Sequence, residues 1–291
     1  NQDGVWDFIE TEYGENGQLY PKRHLSAMAT AMPWLTERLQ NYGQYSKTSL
    51  INLFASTFKT QMKRIEIRTL ESTVFIQNGG RFQPKSLPIK AQFSSAFCPV
   101  VADFNNDGSE DIFISQNEFT VHPEESREDA GLGLLMLGDG EGSFRALSIS
   151  ESGLVVPGEG RGSAAADFDH DGRTDLLVAQ NGSTPRLFKN QTMRIGLRVI
   201  LQGDEQNPEG VGAAMRLKIG DGLGAKRIVR LGSGYLSQNA PTQVLGNNEQ
   251  ATGLIVAWPS DGKTEFFNLQ SGQLEIVAIK GRGSAWPSAR Q

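Results

Sequence analysis

With one cysteine in 291 residues, Cys98, the chain cannot form an internal disulfide. In Phe97-Cys98-Pro99 that residue reads as a small buried side chain at a strand entrance, a reactive thiol being the alternative. Histidine is almost as scarce. His24, His122 and His170 stand far apart and no nucleophile motif accompanies them, so the sequence offers no catalytic constellation. No apolar run reaches the length of about 18 residues that a spanning helix needs, so no membrane span is expected in this chain. A net charge of −5 has the wrong sign for a general nucleic-acid binder, and no nucleic-acid partner is expected. No signal peptide is visible. Because the chain opens inside a motif, it is expected to be the C-terminal portion of a longer protein, with any leader and further repeats upstream.

What is abundant is glycine, 33 residues of it, and with 38% hydrophobic residues this composition suits a turn-rich β protein. The most informative stretch is Asp103-Phe104-Asn105-Asn106-Asp107-Gly108-Ser109-Glu110-Asp111. Asp103, Asn105, Asp107 and Asp111 fill the first, third, fifth and ninth positions of a loop, and Gly108 permits the reversal that turns them inward. The seventh position, Ser109, is expected to ligate through its backbone carbonyl. An all-oxygen set of this size selects Ca2+ over a softer metal. An EF-hand would close with a bidentate Glu at the twelfth position, but here that residue is Ile114, so the loop leads into a buried strand.

The same spelling returns 64 residues later as Asp167, Asp169, Asp171, Arg173 and Asp175, with His170 between ligands and expected to point outward. A third, truncated copy begins the chain, with Asn1, Asp3 and Asp7 at the third, fifth and ninth positions and Gly4 at the sixth. Any one such loop also reads as an Asp/Gly surface turn; copies in register favour the metal reading. Each complete repeat pairs a metal-loop hairpin with a glycine-turn hairpin, Asn78-Gly79-Gly80 before Phe82 and Gly138 to Gly142 before Phe144. Four strands per repeat is the content of one propeller blade.

Asp3 of the truncated copy and Asp107 lie 104 residues apart, an excess of 40 over the 64-residue spacing that matches a helical, basic insertion from about His24 to Lys63. Two short helices are expected there, with Leu35, Leu39, Tyr42, Leu50, Phe54 and Phe58 on the apolar face. Lys59, Lys63 and Arg64 belong to a basic face that reads either as solvated or as a surface for an anionic partner. After residue 195 the strands alternate with period two, which predicts a separate small β-sandwich or barrel over 195–280 and a frayed tail over 281–291. The fold expected is therefore all-β: a partial β-propeller over 1–190 with the helical insertion, then the small β domain.

The acidic loops resemble the FG-GAP or VCBS calcium repeats of integrin-α-type propellers. The C-terminal block resembles the ASPIC/UnbV domain through Glu209-Gly210-Val211-Gly212-Ala213, Gly232-Ser233-Gly234-Tyr235-Leu236-Ser237-Gln238-Asn239 and Trp258-Pro259-Ser260-Asp261-Gly262. Together, over roughly residues 73–275, they are similar to the cartilage acidic protein family. That resemblance implies a secreted or cell-surface protein, extracellular binding or adhesion, and no assigned chemistry. The insertion is not part of the minimal repeat, so nothing is carried over to it. Gly232 to Asn239 reads as a structural corner, or as a polar pocket for a carbohydrate or peptide with Tyr235 as platform. Three function classes follow: a calcium-stabilised extracellular binding module for a carbohydrate or protein ligand, a polysaccharide-active enzyme, and a structural spacer.

Overall fold

The computed structural model describes residues 8–54 and 63–286. The expected third loop, Asn1, Asp3, Gly4 and Asp7, lies outside the described residues, as do Phe58 and Lys59. The chain divides into two compact units, one of residues up to Leu70 together with His122–Ser126, the other of Glu71–Val121 and Arg127 onward.

Among the described residues the first unit holds a short antiparallel pair, β1 (Thr11–Tyr13) and β2 (Leu19–Pro21), and four short helices. These are α1 (Leu25–Ala31), α2 (Trp34–Arg38), α3 (Tyr42–Tyr45) and α4 (Leu50–Leu53), where the sequence predicted two. The interruptions have local causes. Pro33 starts α2, Asn41 caps α3 by accepting from Gln44 N at 2.9 Å, and Ser49 stands extended ahead of α4. Leu35, Leu39 and Phe54 are buried as expected, with Leu25, Met28, Met32 and Leu53, and Leu50 packs against them. Tyr42 is exposed instead, and Tyr45 takes the core position, donating its hydroxyl to Arg23 O at 2.7 Å. Just before the insertion, Lys22 and Arg23 each lie 3.1 Å from Glu125 and Arg23 also pairs with Glu10 at 2.8 Å.

The second unit is built of strands. The hairpin β3 (Thr73–Asn78) and β4 (Arg81–Ser86) turns through Gly79 and Gly80, both in the left-handed region. A four-stranded antiparallel sheet follows in chain order: β5 (Ala96–Ala102), β6 (Asp111–Gln116), β7 (Leu134–Gly138) and β8 (Phe144–Ala146). After one helical turn, α5 (Ile149–Ser152), opened by a capping box of Ser148 and Glu151, comes a three-stranded sheet. Its strands are β9 (Glu159–Ala166), β10 (Asp175–Asn181) and β11 (Ser183–Phe188), with β10 central. The two sheets stack through one core that takes Cys98, Val100, Ala102, Phe104 and Phe113 from the first and Ala165, Leu176 and Val178 from the second. The sheets are thus two copies of one strand unit, the second lacking its fourth strand. No closed propeller or barrel forms among the described residues.

Further strands build two sheets around a second core. One sheet orders β16 (Gln243–Leu245), β12 (Leu197–Gln202) and β19 (Glu275–Ile279), with β12 and β19 parallel. The other runs β14 (Gly222–Leu223), β13 (Ala214–Ile219), β17 (Ala251–Ala257), β18 (Thr264–Asn268) and β20 (Ser284–Ala285), with β15 (Arg227–Ile228) also on β13. Leu197, Val199, Met215, Leu217, Leu254, Val256, Trp258 and Ala278 fill the space they share. The tail expected to fray is held at its start: β20 pairs with β18, and Trp286 stacks on Phe266 with ring centroids 5.1 Å apart. The polypeptide is mostly strand with few helices, and no helix among the described residues is long and apolar enough to cross a membrane.

Candidate metal centre

The loops between β5 and β6 and between β9 and β10 repeat one hydrogen-bond scaffold position by position. The first-position carboxylate accepts from the backbone N–H of the fifth and sixth residues: Asp103 from Asp107 at 3.1 Å and Gly108 at 2.8 Å, Asp167 from Asp171 at 3.0 Å and Gly172 at 3.1 Å. The fifth-position carboxylate accepts from the seventh N–H, Asp107 from Ser109 at 2.8 Å and Asp171 from Arg173 at 3.1 Å. The ninth closes the ring by accepting from the second, Asp111 from Phe104 at 2.8 Å and Asp175 from Phe168 at 2.9 Å. Its other oxygen accepts from backbone at or just past the end of the third strand, Asp111 from Gly138 N at 3.0 Å and Asp175 from Asn190 N, two residues beyond β11, at 2.7 Å. The fourth and sixth residues take left-handed backbone in both loops: Asn106 at φ 54° and Gly108 at 91°, His170 at 62° and Gly172 at 77°. His170 is exposed, as expected of a residue facing away from the ligands.

In the second loop, oxygens of Asp167, Asp169 and Asp175 lie within 4.8 Å of one another, close enough for one cation. Asp171 is drawn toward Arg173 at 3.0 Å and Lys189 at 3.6 Å, and Lys189 also pairs with Asp169. In the first loop Asn105 accepts from Asp107 N at 2.9 Å and donates to Asp107 Oδ2 at 2.9 Å, so the third and fifth positions are joined. Ser109 and Arg173 enter the scaffold through their N–H groups, and the Arg173 side chain donates from Nε to Thr192 O at 2.6 Å while its guanidinium lies 3.0 Å from Asp171 Oδ2. The three second-loop carboxylates in reach of one cation offer oxygen only, which is the chemistry of a hard ion, whereas Asp103, Asp107 and Asp111 of the first loop are not drawn into such a group.

Electrostatics sets the carboxylates apart. Burial pushes Asp111 up to about 6 against the pull of the Gly138 and Phe104 N–H groups, and burial also raises Asp103 and Asp175. Asp169 is held below its ordinary value by the hydrogen bond from Lys189.

Several residues that complete this centre carry no motif. Asn106 donates to Gly172 O at 3.1 Å and Arg194 O at 3.0 Å, tying the first loop to the second. Arg198, on β12, lies 2.6 Å by Nε from Asp167 Oδ2 and pairs with Glu275. The Asp167 contact is an ion pair by distance, but its N–H is not aligned as a hydrogen bond. Arg227 pairs with Glu110 and lowers the cost of the charge on Asp103. Gly246 sits so close that a Cβ there would collide with Asp103 Oδ2. These contacts come from strands far off in sequence, and only a glycine or an alternating strand position marks them locally.

The Gly232 to Asn239 stretch is a corner docked on the strand units. Cys98 Sγ accepts from Ser163 N and Tyr235 N, both at 3.3 Å, and lies 3.3 Å from Ser237 Oγ. Ser233 Oγ accepts from Asn239 N at 3.0 Å, and Asn239 Oδ1 accepts from Ala165 N at 2.9 Å. The side chains of Ser233, Ser237 and Asn239 thus serve bent backbone, Tyr235 packs edge-on against Phe97 with ring centroids 5.7 Å apart, and Cys98 is a buried packing residue.

Over 207 residues the chain is 26% identical to cartilage acidic protein 1 of Homo sapiens, an alignment covering 68% of this chain and 30% of that protein. Over 189 residues it is 26% identical to cartilage acidic protein 1 of Xenopus tropicalis, covering 61% of this chain and 27% of that protein. The chain spans less than a third of the length of these relatives. Within it, residues 203–282, which carry most of the second core, match the family described as ASPIC and UnbV.

Proposed function

We propose that the chain is a calcium-stabilised binding module of the extracellular space or cell surface, with one Ca2+ in each acidic loop and no catalytic role. The observation that supports it best is the duplication of the nine-residue hydrogen-bond scaffold around Asp103 and Asp167, down to the two acceptor bonds of each first-position carboxylate. Turns that only reverse the chain have no need to repeat ligand geometry. Asp103, Asn105, Asp107 and Asp111 hold one ion, with Asp167, Asp169, Asp171 and Asp175 holding the other, and the carbonyls of Ser109 and Arg173 complete the sets. Calcium supplies the positive charge that the buried carboxylates lack. On this reading residues 1–190 are FG-GAP or VCBS blades of a propeller and 195–280 an ASPIC/UnbV domain, together displaying loops to a carbohydrate or protein ligand. Similarity to cartilage acidic protein 1 supports an extracellular setting, where calcium is millimolar and weak sites fill.

Calcium titration of metal-free protein by isothermal calorimetry tests this directly. Two ions per chain are expected, falling to one in Asp171→Ala. Heat changes no larger than those with magnesium would remove the calcium assignment.

A further inference from the structure

The segment between β11 and β12 lies against both acidic loops and bonds to each, with Asn190 as its anchor. The backbone N–H of Asn190 donates to Asp175 Oδ1 at 2.7 Å, and its carboxamide nitrogen donates to Phe104 O at 2.7 Å and to Thr174 O at 3.0 Å. Its Oδ1 accepts from Thr192 N at 2.9 Å, so every polar atom of the side chain is engaged. Phe104 in turn donates its N–H to Asp111 Oδ2 at 2.8 Å. Hydrogen bonds through Asn190 and Phe104 therefore join the ninth-position carboxylate of the second loop to that of the first. Asp111 and Asp175 are 0% and 3% exposed, so bulk water does not compete for either end of this connection.

A second connection runs beside it. Asn106 donates to Gly172 O at 3.1 Å and to Arg194 O at 3.0 Å, and Gly196 N also donates to Gly172 O, at 2.8 Å. Gly172 N donates to Asp167 Oδ2 at 3.1 Å, which carries this link to the first-position carboxylate of the second loop. Residues 190–196 are thus a strap clamped at both ends by the two loops. The strap holds no helix or strand, so its conformation rests on these bonds, and it belongs with both loops to one compact unit. Two loops that share a strap share the cost of ordering it. Whichever loop is fixed first immobilises Asn190, and the other then has less to order when it is fixed in turn. Linkage makes the benefit equal in both directions.

We propose that the two loops take up calcium with positive cooperativity, and that Asn190 is the positioning residue that couples them. This rests on the reading that each loop holds one ion. Asparagine suits the place because it adds two side-chain donors, one for each loop, to the backbone N–H that Asp175 uses.

The test is competition titration of the full chain against a chromophoric calcium chelator, which gives the total constant for two ions. Asp171→Ala leaves the first site alone and Asp107→Ala the second, and each single-site constant is measured in the same way. The wild-type total constant should exceed the product of the two single-site constants by about fivefold or more. With Asn190→Ala added to all three chains the excess should shrink, and with Asn106→Gly added as well it should disappear. Asn190→Asp is a second reading: it keeps the size and the acceptor for Thr192 N, offers no N–H to Phe104 O, and should shrink the excess too. A purely structural role for Asn190 would lower the melting temperature and leave the excess as it was. A wild-type total constant equal to the product overturns the coupling and leaves the two-ion reading standing, whereas a wild type that takes up no calcium removes both. An excess unchanged in both Asn190→Ala and Asn190→Asp overturns the assignment to Asn190.

Discussion

Arg198 Nε lies 2.6 Å from Asp167 Oδ2, so the first carboxylate of the second acidic loop is held by a strand of the two-sheet C-terminal region. Both groups are buried, and removing one partner of such a pair leaves a charge in a poor solvent. Arg198→Met should destabilise the protein by roughly 3 kcal/mol in urea unfolding. Saturating calcium should recover part of that loss, because the ion can neutralise Asp167 in place of the guanidinium.

Lys189 offers the opposite case. Its ammonium pairs with Asp169 and sits 3.6 Å from Asp171, where it competes with a cation for the same oxygens. Being an exposed contact, it contributes little to stability. Lys189→Met should therefore raise the calcium affinity of the second loop several-fold, leave the first loop unchanged, and alter the metal-free melting temperature little. Calorimetric titration of the variant resolves the two sites.

Asn106 combines left-handed backbone with hydrogen bonds to Gly172 O and Arg194 O. Asn106→Ala loses both bonds and places a Cβ-bearing residue of lower tolerance at positive φ. A loss of about 2 to 4 kcal/mol is expected from these two effects, and chemical denaturation measures it. Asn106→Gly relieves the backbone but not the bonds, so it should fall between.

The pH response follows from burial. Asp111 titrates at about 6 in the folded chain against 3.8 for the ordinary carboxyl, so the folded state binds the extra proton between those values. Its contribution to metal-free stability is full below about pH 4 and is lost as pH rises through about 6, a change on the order of 2 to 3 kcal/mol. Asp103 and Asp175, also raised, act with the same sign. Metal-free protein should thus melt higher at pH 5 than at pH 7. With calcium the order should reverse, since the ion needs the carboxylates ionised. Melting curves at both pH values, with calcium and with chelator, give the comparison.

The strand units were legible because their acidic loops are local: ligand spacing, Gly108 and Gly172, and the apolar runs after Asp111 and Asp175 all lie within a few residues. The buried helix positions Leu35, Leu39 and Phe54 were readable from periodicity. Tyr42 was misplaced because the chain leaves helical geometry at Leu39 and restarts at Asn41, shifting the face by part of a turn to Tyr45. β16 and β18 carry little pattern of their own, one being three residues long and the other beginning with polar Thr264 and Glu265. Arg198, Lys189, Asn106 and Gly246 were illegible for a different reason. Their roles depend on which strands meet, and neither β12 nor the segment after β16 announces in sequence that it lies against an acidic loop.

The central claim is that calcium in the two loops holds the strand units together. Ligand binding to the folded state alone contributes about 2.7 kcal/mol at a hundredfold excess over the dissociation constant, enough to move a melting curve plainly. The most direct measurement is thermal unfolding of the wild type and of Asp171→Ala in calcium, in magnesium and in chelator. The account predicts a melting temperature several degrees higher in calcium than in chelator, little effect of magnesium, and a smaller calcium shift in Asp171→Ala. A wild-type melting temperature indifferent to calcium would contradict it.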